Sequence, residues 1–462
     1  MSDPNGTYDI VVLGGGSGGY ATALRAAQLD LSVVLIEKDK LGGTCLHRGC
    51  IPTKALLHAG EVADQTRESE QFGIKAELVG IDMAGVNAYK DGVVAKLYKG
   101  LQGLVKGSKR ITYVEGTGRL VAPDAVEVDG QRYTGRNIVL ATGSYSRSLP
   151  GLEIDGERVI TSEQALTLDR VPASVIVLGG GVIGVEFASA WRSFGVDVTI
   201  VEALPRLVAA EDEECSKALE RAFRKRGIAF KVNKPFEKVE HTDSGVKVTV
   251  AGGETIDAEL LLVAVGRGPS TANIGYDEQG VRMDRGFVLT DERLRTNLAG
   301  VYAVGDIVPG LQLAHRGFQQ GIFVAEEIAG RNPAVIDENG IPRVTYSDPE
   351  IASVGLTEGQ AKEEYGADKI ETYNYNLGGN GKSQILRTQG FAKLVRVADG
   401  PVVGIHMVGA RVGELISEAQ LIYNWEAYPA EVAQLIHAHP TQSEALGEAH
   451  LALAGKPLHA HA

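Results

Sequence analysis

A chain of 462 residues has room for about three domains, and a net charge of -13, from 59 acidic against 46 basic residues, argues against nucleic acid or an anionic membrane surface as a main partner. Three cysteines do not make a secreted disulfide framework, so a reducing compartment, the cytoplasm, is expected. Residues 1–7 lack the basic region and apolar run of a secretory signal, and the longest apolar runs, such as 260–265, are too short to cross a bilayer.

The chain opens with a strand pattern over 8–13 that ends in Gly14-Gly15-Gly16-Ser17-Gly18-Gly19. A helix over 20–29 and a strand over 32–36 follow, closed by Glu37, eighteen residues past Gly19. This is a βαβ dinucleotide fingerprint. Gly14 allows the tight turn, Gly16 lets a pyrophosphate approach the backbone, and Gly19 lets the helix pack on the strand. Glu37 can accept hydrogen bonds from a ribose.

Next comes Gly42-Gly43-Thr44-Cys45-Leu46-His47-Arg48-Gly49-Cys50-Ile51-Pro52-Thr53-Lys54. In one regular helix, residues five apart stand about 140° apart around the axis, too far for their sulfurs to meet. A bridge therefore needs a backbone break between Cys45 and Cys50, and Gly49 permits one. Pro52 suits a first helical turn, which puts Cys50 at a helix N-terminus, where the dipole and Lys54 favour a thiolate. A strained, reactive disulfide is the expectation. The alternatives are a buried cysteine pair or half of a metal site, and the metal reading lacks a second Cys or His pair at ligand spacing.

Residues 55–110 read mostly as helices, for example 86–106, where Val94, Leu97, Leu101 and Leu104 form a stripe expected to face the core. Short strands return at 111–118, 125–128 and 137–141, the last ending in Thr142-Gly143-Ser144. Pro150 soon afterwards marks an exit from the first domain.

The opening pattern then repeats. A strand over 174–178, the loop Gly179-Gly180-Gly181-Val182-Ile183-Gly184, a helix over 185–194 and a strand over 197–201 lead to Glu202, again eighteen residues past the last loop glycine. Two phosphate-cradling units imply two dinucleotides. A carboxylate at Glu202 suits a free 2′-hydroxyl and repels a 2′-phosphate, and Arg206 is the one basic residue just after it, so NAD is expected rather than NADP.

A strand over 259–265, closed by Gly266-Arg267-Gly268-Pro269, echoes the earlier exit. Another over 301–304 ends in Gly305-Asp306, and Asp306 could bond a cofactor hydroxyl. A helix opens at Leu313-Ala314-His315 and runs to about Gly330, before a linker over 331–342. Apolar alternation at 343–354, 369–375, 391–397 and 402–408 reads as an antiparallel sheet covered by helices at 357–365 and 415–425. With no glycine-rich loop, this part looks like an assembly domain. Near its end His439 precedes Glu444 by five residues, so an imidazole–carboxylate pair can form. The tail from His459 to Ala462 reads as a disordered end.

Taken together, these motifs resemble the flavoprotein disulfide reductases, and among them the dihydrolipoyl dehydrogenases, over essentially the whole chain. The resemblance implies an α/β fold with two Rossmann-like dinucleotide-binding domains and a C-terminal α+β dimerisation domain. It divides the chain into 1–150 and 271–340 for FAD, 151–270 for NAD, and 341–462 for the interface. It implies that Gly14, Gly16, Gly19, Glu37, Lys54, Gly118, Thr142, Gly143, Ser144, Asp306 and Ala314 bind FAD, and that Gly179, Gly181, Gly184, Glu186, Glu202 and Gly266 serve NAD. Cys45 would exchange with substrate, Cys50 would lie against the flavin, Lys54 and Glu186 would pair near it, and His439 with Glu444 would move the proton. The implied activity is oxidation of dihydrolipoamide by NAD, in a homodimer serving lipoyl domains of 2-oxo acid dehydrogenase complexes, with no metal. Glutathione- or mycothione-type reductases remain an alternative, although the glutathione type needs basic residues where Glu202 stands. A non-catalytic dinucleotide-binding scaffold is the other, although a scaffold needs neither the cysteine pair nor His439 with Glu444. His47 departs from the family's usual Asn.

Overall fold

The structure, a computed structural model, describes residues 6–459, so the readings of residues 1–5 and of the tail at 460–462 lie outside it. Strand Thr7–Leu13 runs parallel to Val33–Glu37, which pairs in turn with Ile111–Glu115. On its other side it pairs with Gln131–Leu140, and the antiparallel Ala125–Val128 and Gly118–Ala122 follow. Val301–Ala303 also pairs with Gln131–Leu140, so the chain returns to this sheet after building another unit. Ile10, Val11, Val12 and the four residues 33–36 are fully buried. A sheet covered on both faces needs such unbroken apolar runs, and each large side chain so buried contributes roughly 1.5–3 kcal/mol.

The first helix runs Ser17–Gln28 and begins inside the glycine loop, three residues earlier than the apolar pattern indicated. Helix propensity argues against glycines there, but packing overrides it. A Cβ on Gly321 of the helix Ala314–Ile328 would lie 2.3 Å from the Gly18 carbonyl oxygen, so the two helices cross backbone against backbone.

The second unit has the parallel order Ala229–Lys231, Asp197–Val201, Ser174–Leu178, Leu260–Val263, Val159–Ile160. The two exits pair with each other: Ser144–Ser146 lies antiparallel to Arg267–Pro269, and the Ser270 N–H donates to the Gly143 carbonyl at 2.8 Å. The third unit is an antiparallel sheet of five strands, Arg343–Thr345, Glu350–Gly355, Val402–Gly409, Phe391–Val397 and Ile370–Asn376 in spatial order. Lys393 from this sheet is 3% exposed and lies 2.9 Å from Asp212, 2.6 Å from Glu358 and 3.3 Å from Glu214, which ties it to the second unit.

Two expectations need correction. The stretch 343–354 is two strands, because it turns at residues 346–349, where Pro349 has no N–H for a ladder. On helix Met83–Gly107 the buried residues are Met83, Lys90, Leu101 and Val105, whereas Leu97 and Leu104 are 45% and 62% exposed. Helical spacing shows which residues share a face, not which face meets the chain's own core. Among the described residues no helix is long and apolar enough to cross a membrane.

Candidate active site

The two glycine loops repeat each other atom for atom. Gly14 has φ +109°, and a Cβ on it would lie 2.2 Å from the Ala141 carbonyl oxygen. Gly179 has φ +113° and the same collision with Ala264 at 2.4 Å. A Cβ on Gly19 or Gly184 would strike the carbonyl of Gly14 or Gly179 at 1.8 or 1.9 Å, so each helix packs on its own turn. Gly181 instead faces open space and Gly16 meets only the Gly43 Cα at 4.0 Å, which leaves the cradle that a pyrophosphate needs. Glu37 accepts the N–H of Gly15 at 2.7 Å and of Asp39 at 2.8 Å. Glu202 accepts those of Gly180 at 2.6 Å and Leu204 at 2.7 Å. Each carboxylate oxygen thus braces backbone and keeps a further lone pair for a ribose. Burial pushes the Glu37 carboxyl up. Arg206 is committed to Glu211 O, Ala209 O and Ser216 Oγ at 2.6–2.8 Å, so the basic residue that follows Glu202 is tied to protein groups.

The cysteine stretch folds as expected around its glycine. Helix Gly43–Arg48 stops at Gly49 (φ −143°, ψ −111°) and helix Cys50–Arg67 starts at once, with Pro52 in its first turn. Cys45 and Cys50 are free thiols, the reduced form of the expected disulfide. The two thiols act on each other. That interaction pushes Cys45 up and, with help from the Lys54 ammonium, brings Cys50 down to about 7, against burial and Glu186. Lys54 Nζ stands 3.0 and 2.8 Å from the two oxygens of Glu186, a residue 2% exposed. Burial pulls the Lys54 ammonium down, but the Glu186 pair outweighs it and holds it up.

Two tyrosines that no motif flagged join this site. The Tyr346 N–H donates to Glu186 Oε1 at 2.9 Å and its ring lies 4.8 Å from Lys54 Nζ. Tyr20 is pushed up to about 12 by burial and by the neighbouring Cys45. His47 places Nε2 2.8 Å from the Leu41 carbonyl oxygen and its ring edge-on to Tyr98, 4.9 Å between centroids, so it braces the loop. Burial lowers its pKa.

Residues from both exits converge on Asp306. Ser144 Oγ donates to Asp306 Oδ2 at 2.5 Å, and Arg267 donates to Ser144 Oγ and O, both at 2.8 Å. Gly143 and Gly266 have positive φ with open space beside them. Ala314 is the first residue of its helix, whose N-terminus has no side-chain cap and so keeps N–H groups for an anionic ligand. Gly118 sits differently from the other loop glycines: a Cβ there would lie 2.5 Å from Leu13 and 3.1 Å from Ile36 and Val126, inside the sheet core.

In the third unit His439 Nδ1 lies 2.8 Å from Glu444 Oε1, while Glu444 Oε2 accepts the Thr441 N–H at 2.7 Å. Those bonds hold the Glu444 carboxyl down against burial. The His439 side chain is 77% exposed. A second pair, His437 with Glu418 at 2.7 Å, escaped the sequence reading because its partner lies on another helix. Among the described residues no group of three or more His, Cys, Asp or Glu could hold a metal ion.

Residues 8–321 match the family described as pyridine nucleotide-disulphide oxidoreductase, and residues 341–450 match its dimerisation domain. The chain belongs to this family. Its members' cofactors, FAD and NAD(H), are those of this oxidoreductase. The chain is 41% identical to a dihydrolipoyl dehydrogenase of Bacillus subtilis, covering 98% of this chain and 99% of that one. It is 39% identical to the mitochondrial dihydrolipoyl dehydrogenase of Pisum sativum, covering 99% and 93%. Among solved structures, LpdA of Mycobacterium tuberculosis is similar with a TM-score of 0.90 and 28% identity, covering 96% and 99%. Tyr346, Glu444 and His439 all fall within the residues that match the dimerisation domain.

Proposed function

We propose that the chain is a dihydrolipoyl dehydrogenase, oxidising dihydrolipoamide to lipoamide and reducing NAD to NADH. The observation that carries this is the Cys45–Cys50 pair beside the Lys54–Glu186 ion pair, whose carboxylate is buried, in a chain with two equivalent dinucleotide cradles. Gly14, Gly16, Gly19 and Glu37 would hold the FAD pyrophosphate and ribose, with Thr142–Ser144, Asp306 and the N-terminus at Ala314 around the rest. Gly179, Gly181, Gly184 and Glu202 would hold NAD in the same manner. Bound FAD supplies a two-electron relay between a dithiol and a nicotinamide.

The chain's own residues do the thiol chemistry. His439, oriented through Nδ1 by Glu444, takes a proton from one substrate thiol at Nε2. The thiolate so formed attacks Cys45 Sγ of the disulfide. The Cys45–Cys50 bond breaks and Cys50 leaves as a thiolate, stabilised by Lys54 and the helix N-terminus. The second substrate thiol attacks the sulfur bound to Cys45, which closes the lipoamide disulfide and leaves Cys45 protonated. The substrate's electron pair now resides on the cysteine pair. Passing it on as hydride to NAD restores the disulfide and releases one proton.

We further infer that the site is shared between the two chains of a homodimer, with His439 facing its partner's cysteines. The exposed His439 and its place in the dimerisation domain support this. Lipoyl domains of 2-oxo acid dehydrogenase complexes are the natural carriers of such a substrate, and the low cysteine count fits a cytoplasmic setting. The deciding test is turnover of dihydrolipoamide with NAD by the purified holoenzyme. Turnover of glutathione disulfide instead, or no disulfide turnover at all, would sink the proposal.

A further inference from the structure

The segment that carries Tyr346 crosses from the dimerisation domain into the cysteine site of its own chain. It is fastened at two points on helix Val182–Ser193: the Tyr346 N–H donates to Glu186 Oε1 at 2.9 Å, and the Asp348 N–H donates to Ser189 Oγ at 2.9 Å. Arg226 Nη1 also donates to the Asp348 carbonyl at 3.1 Å. Between these anchors the phenol ring turns its face toward Lys54 Nζ, 4.8 Å from the centroid. Lys54 is therefore held on two sides, by the Glu186 carboxylate and by an aromatic face.

We propose that Tyr346 is a positioning residue that keeps the Lys54 ammonium in place to stabilise the Cys50 thiolate. The idea rests on the reading of Cys50 as the flavin-side thiolate. An ammonium with only a carboxylate for company can swing about that contact, and its distance from the sulfur would then vary. A ring face adds an attraction of fixed direction and excludes water from that side. The Tyr346 N–H separately fixes one oxygen of Glu186, so the carboxylate cannot rotate to draw Lys54 elsewhere. The dimerisation domain thus reaches the redox pair within one chain.

The charged and titratable groups around the pair come from several elements. Cys45 faces Cys50 from helix Gly43–Arg48, Lys54 from its own helix, and Glu186 from helix Val182–Ser193. Arg267 senses Cys50 from the second exit strand. Tyr346 itself senses Lys54, Glu350, Glu186 and Glu414. Only the ring's hold on Lys54 is altered by the variants at Tyr346.

The test uses holoenzyme carrying Cys45→Ser, in which Cys50 is the one accessible thiol because Cys215 is 0% exposed. Two readouts follow its ionisation without turnover: the pH profile of alkylation by iodoacetamide, and the pH profile of the long-wavelength thiolate–flavin absorbance. Adding Tyr346→Leu should raise the midpoint by about half to one pH unit, the scale of a desolvated cation–π contact. Tyr346→Phe should leave it where it was. Tyr346→Met replaces the leucine variant if that one fails to fold. Lys54→Met is the control and should raise the midpoint further. An unmoved midpoint in the leucine or methionine variant, with a shift in Lys54→Met, overturns the role of Tyr346 alone. An unmoved midpoint in Lys54→Met overturns the reading of Lys54 as well. A phenylalanine variant that shifts as far as leucine overturns the ring-face mechanism.

Discussion

The carboxylate of Glu202 and the N–H of Gly180 meet at 2.6 Å, and Glu37 repeats the bond on Gly15 at 2.7 Å. The acid thus fixes the loop that precedes the helix of its unit. A 2′-phosphate would meet this carboxylate, and the basic residues adjoining it in the fold are engaged: Arg206 is bound to Glu211 O, Ala209 O and Ser216 Oγ, and Lys231 and Lys234 both pair with Glu254. NADH should be preferred to NADPH by about 100-fold or more in kcat/KM, the scale of a few kcal/mol of like-charge repulsion. Glu202→Ala should weaken both the preference and the loop, lowering kcat/KM for NADH about tenfold or more. Equal kcat/KM for the two cofactors in the unaltered enzyme would refute the assignment.

The two cysteines should separate by spectrum. Cys45→Ser and Cys50→Ser should each abolish turnover while flavin stays bound. Only the variant that keeps Cys50 should show the long-wavelength thiolate–flavin band, growing as pH rises, because Lys54 favours the thiolate at Cys50, while in the intact pair Cys45 is pushed up. The opposite pattern would reverse the two roles.

His439→Gln should lower kcat by about 100-fold or more, as expected for loss of a general base. Glu444→Gln should lower it less, since the amide can keep a hydrogen bond to Nδ1 but not the charge. Heterodimers of His439→Gln with Cys50→Ser then test site sharing. If the site is shared, each heterodimer has one intact site and up to half the unaltered activity. Verified heterodimers that remain inactive would show that each chain uses its own His439.

Lys393 bridges Asp212, Glu358 and Glu214, and of these Glu358 also pairs with Lys362, so Lys393→Met should destabilise by about 3 kcal/mol or more, measured by denaturant unfolding at pH 7. The pH window follows from the shifts. Burial alone would raise Asp212, but His406, Lys393 and the Glu358 N–H bring it below 3.8. Its stabilisation is therefore full above that value and is lost as pH falls through the lower folded value. Burial alone would lower Lys393, but Glu358 and Asp212 raise it above 10.5, so its contribution fades only as pH rises beyond that. The deficit of the variant should be flat between these limits and shrink in acid. A deficit unchanged at pH 3 would contradict the electrostatic account.

Local constraints made much of this molecule readable. Gly14, Gly19, Gly179 and Gly184 stand where any Cβ would strike a backbone carbonyl, and Gly49 stands where one helix must stop so that another can begin at Cys50. Such positions announce themselves through residue type and spacing. Contacts between distant segments do not. Tyr346 meets Glu186 across 160 residues, and His437 meets Glu418 across 19, with nothing nearby to mark either. Leu97 and Leu104 carry a helical period that reads the same whether the face is buried or exposed. The break within 343–354 is marked by Ser347-Asp348-Pro349, a turn signal that the apolar alternation on either side outweighed.

The ribbon formed by Ser144–Ser146 and Arg267–Pro269 gives the second unit a single neck. The Gly143 carbonyl and the Ser270 N–H already meet at 2.8 Å, so a peptide of a few residues would join the flanks and close the first sheet with everything between removed. The excised piece would carry its own parallel sheet and its own glycine loop. The chain is in this respect a socket with an exchangeable cartridge. A cartridge that accepts another hydride carrier could be seated on the same neck, provided it keeps Glu186, Ser189 and Asp212 for Lys54, the Tyr346 segment and Lys393, which would change the electron acceptor while Cys45, Cys50 and His439 stay in place.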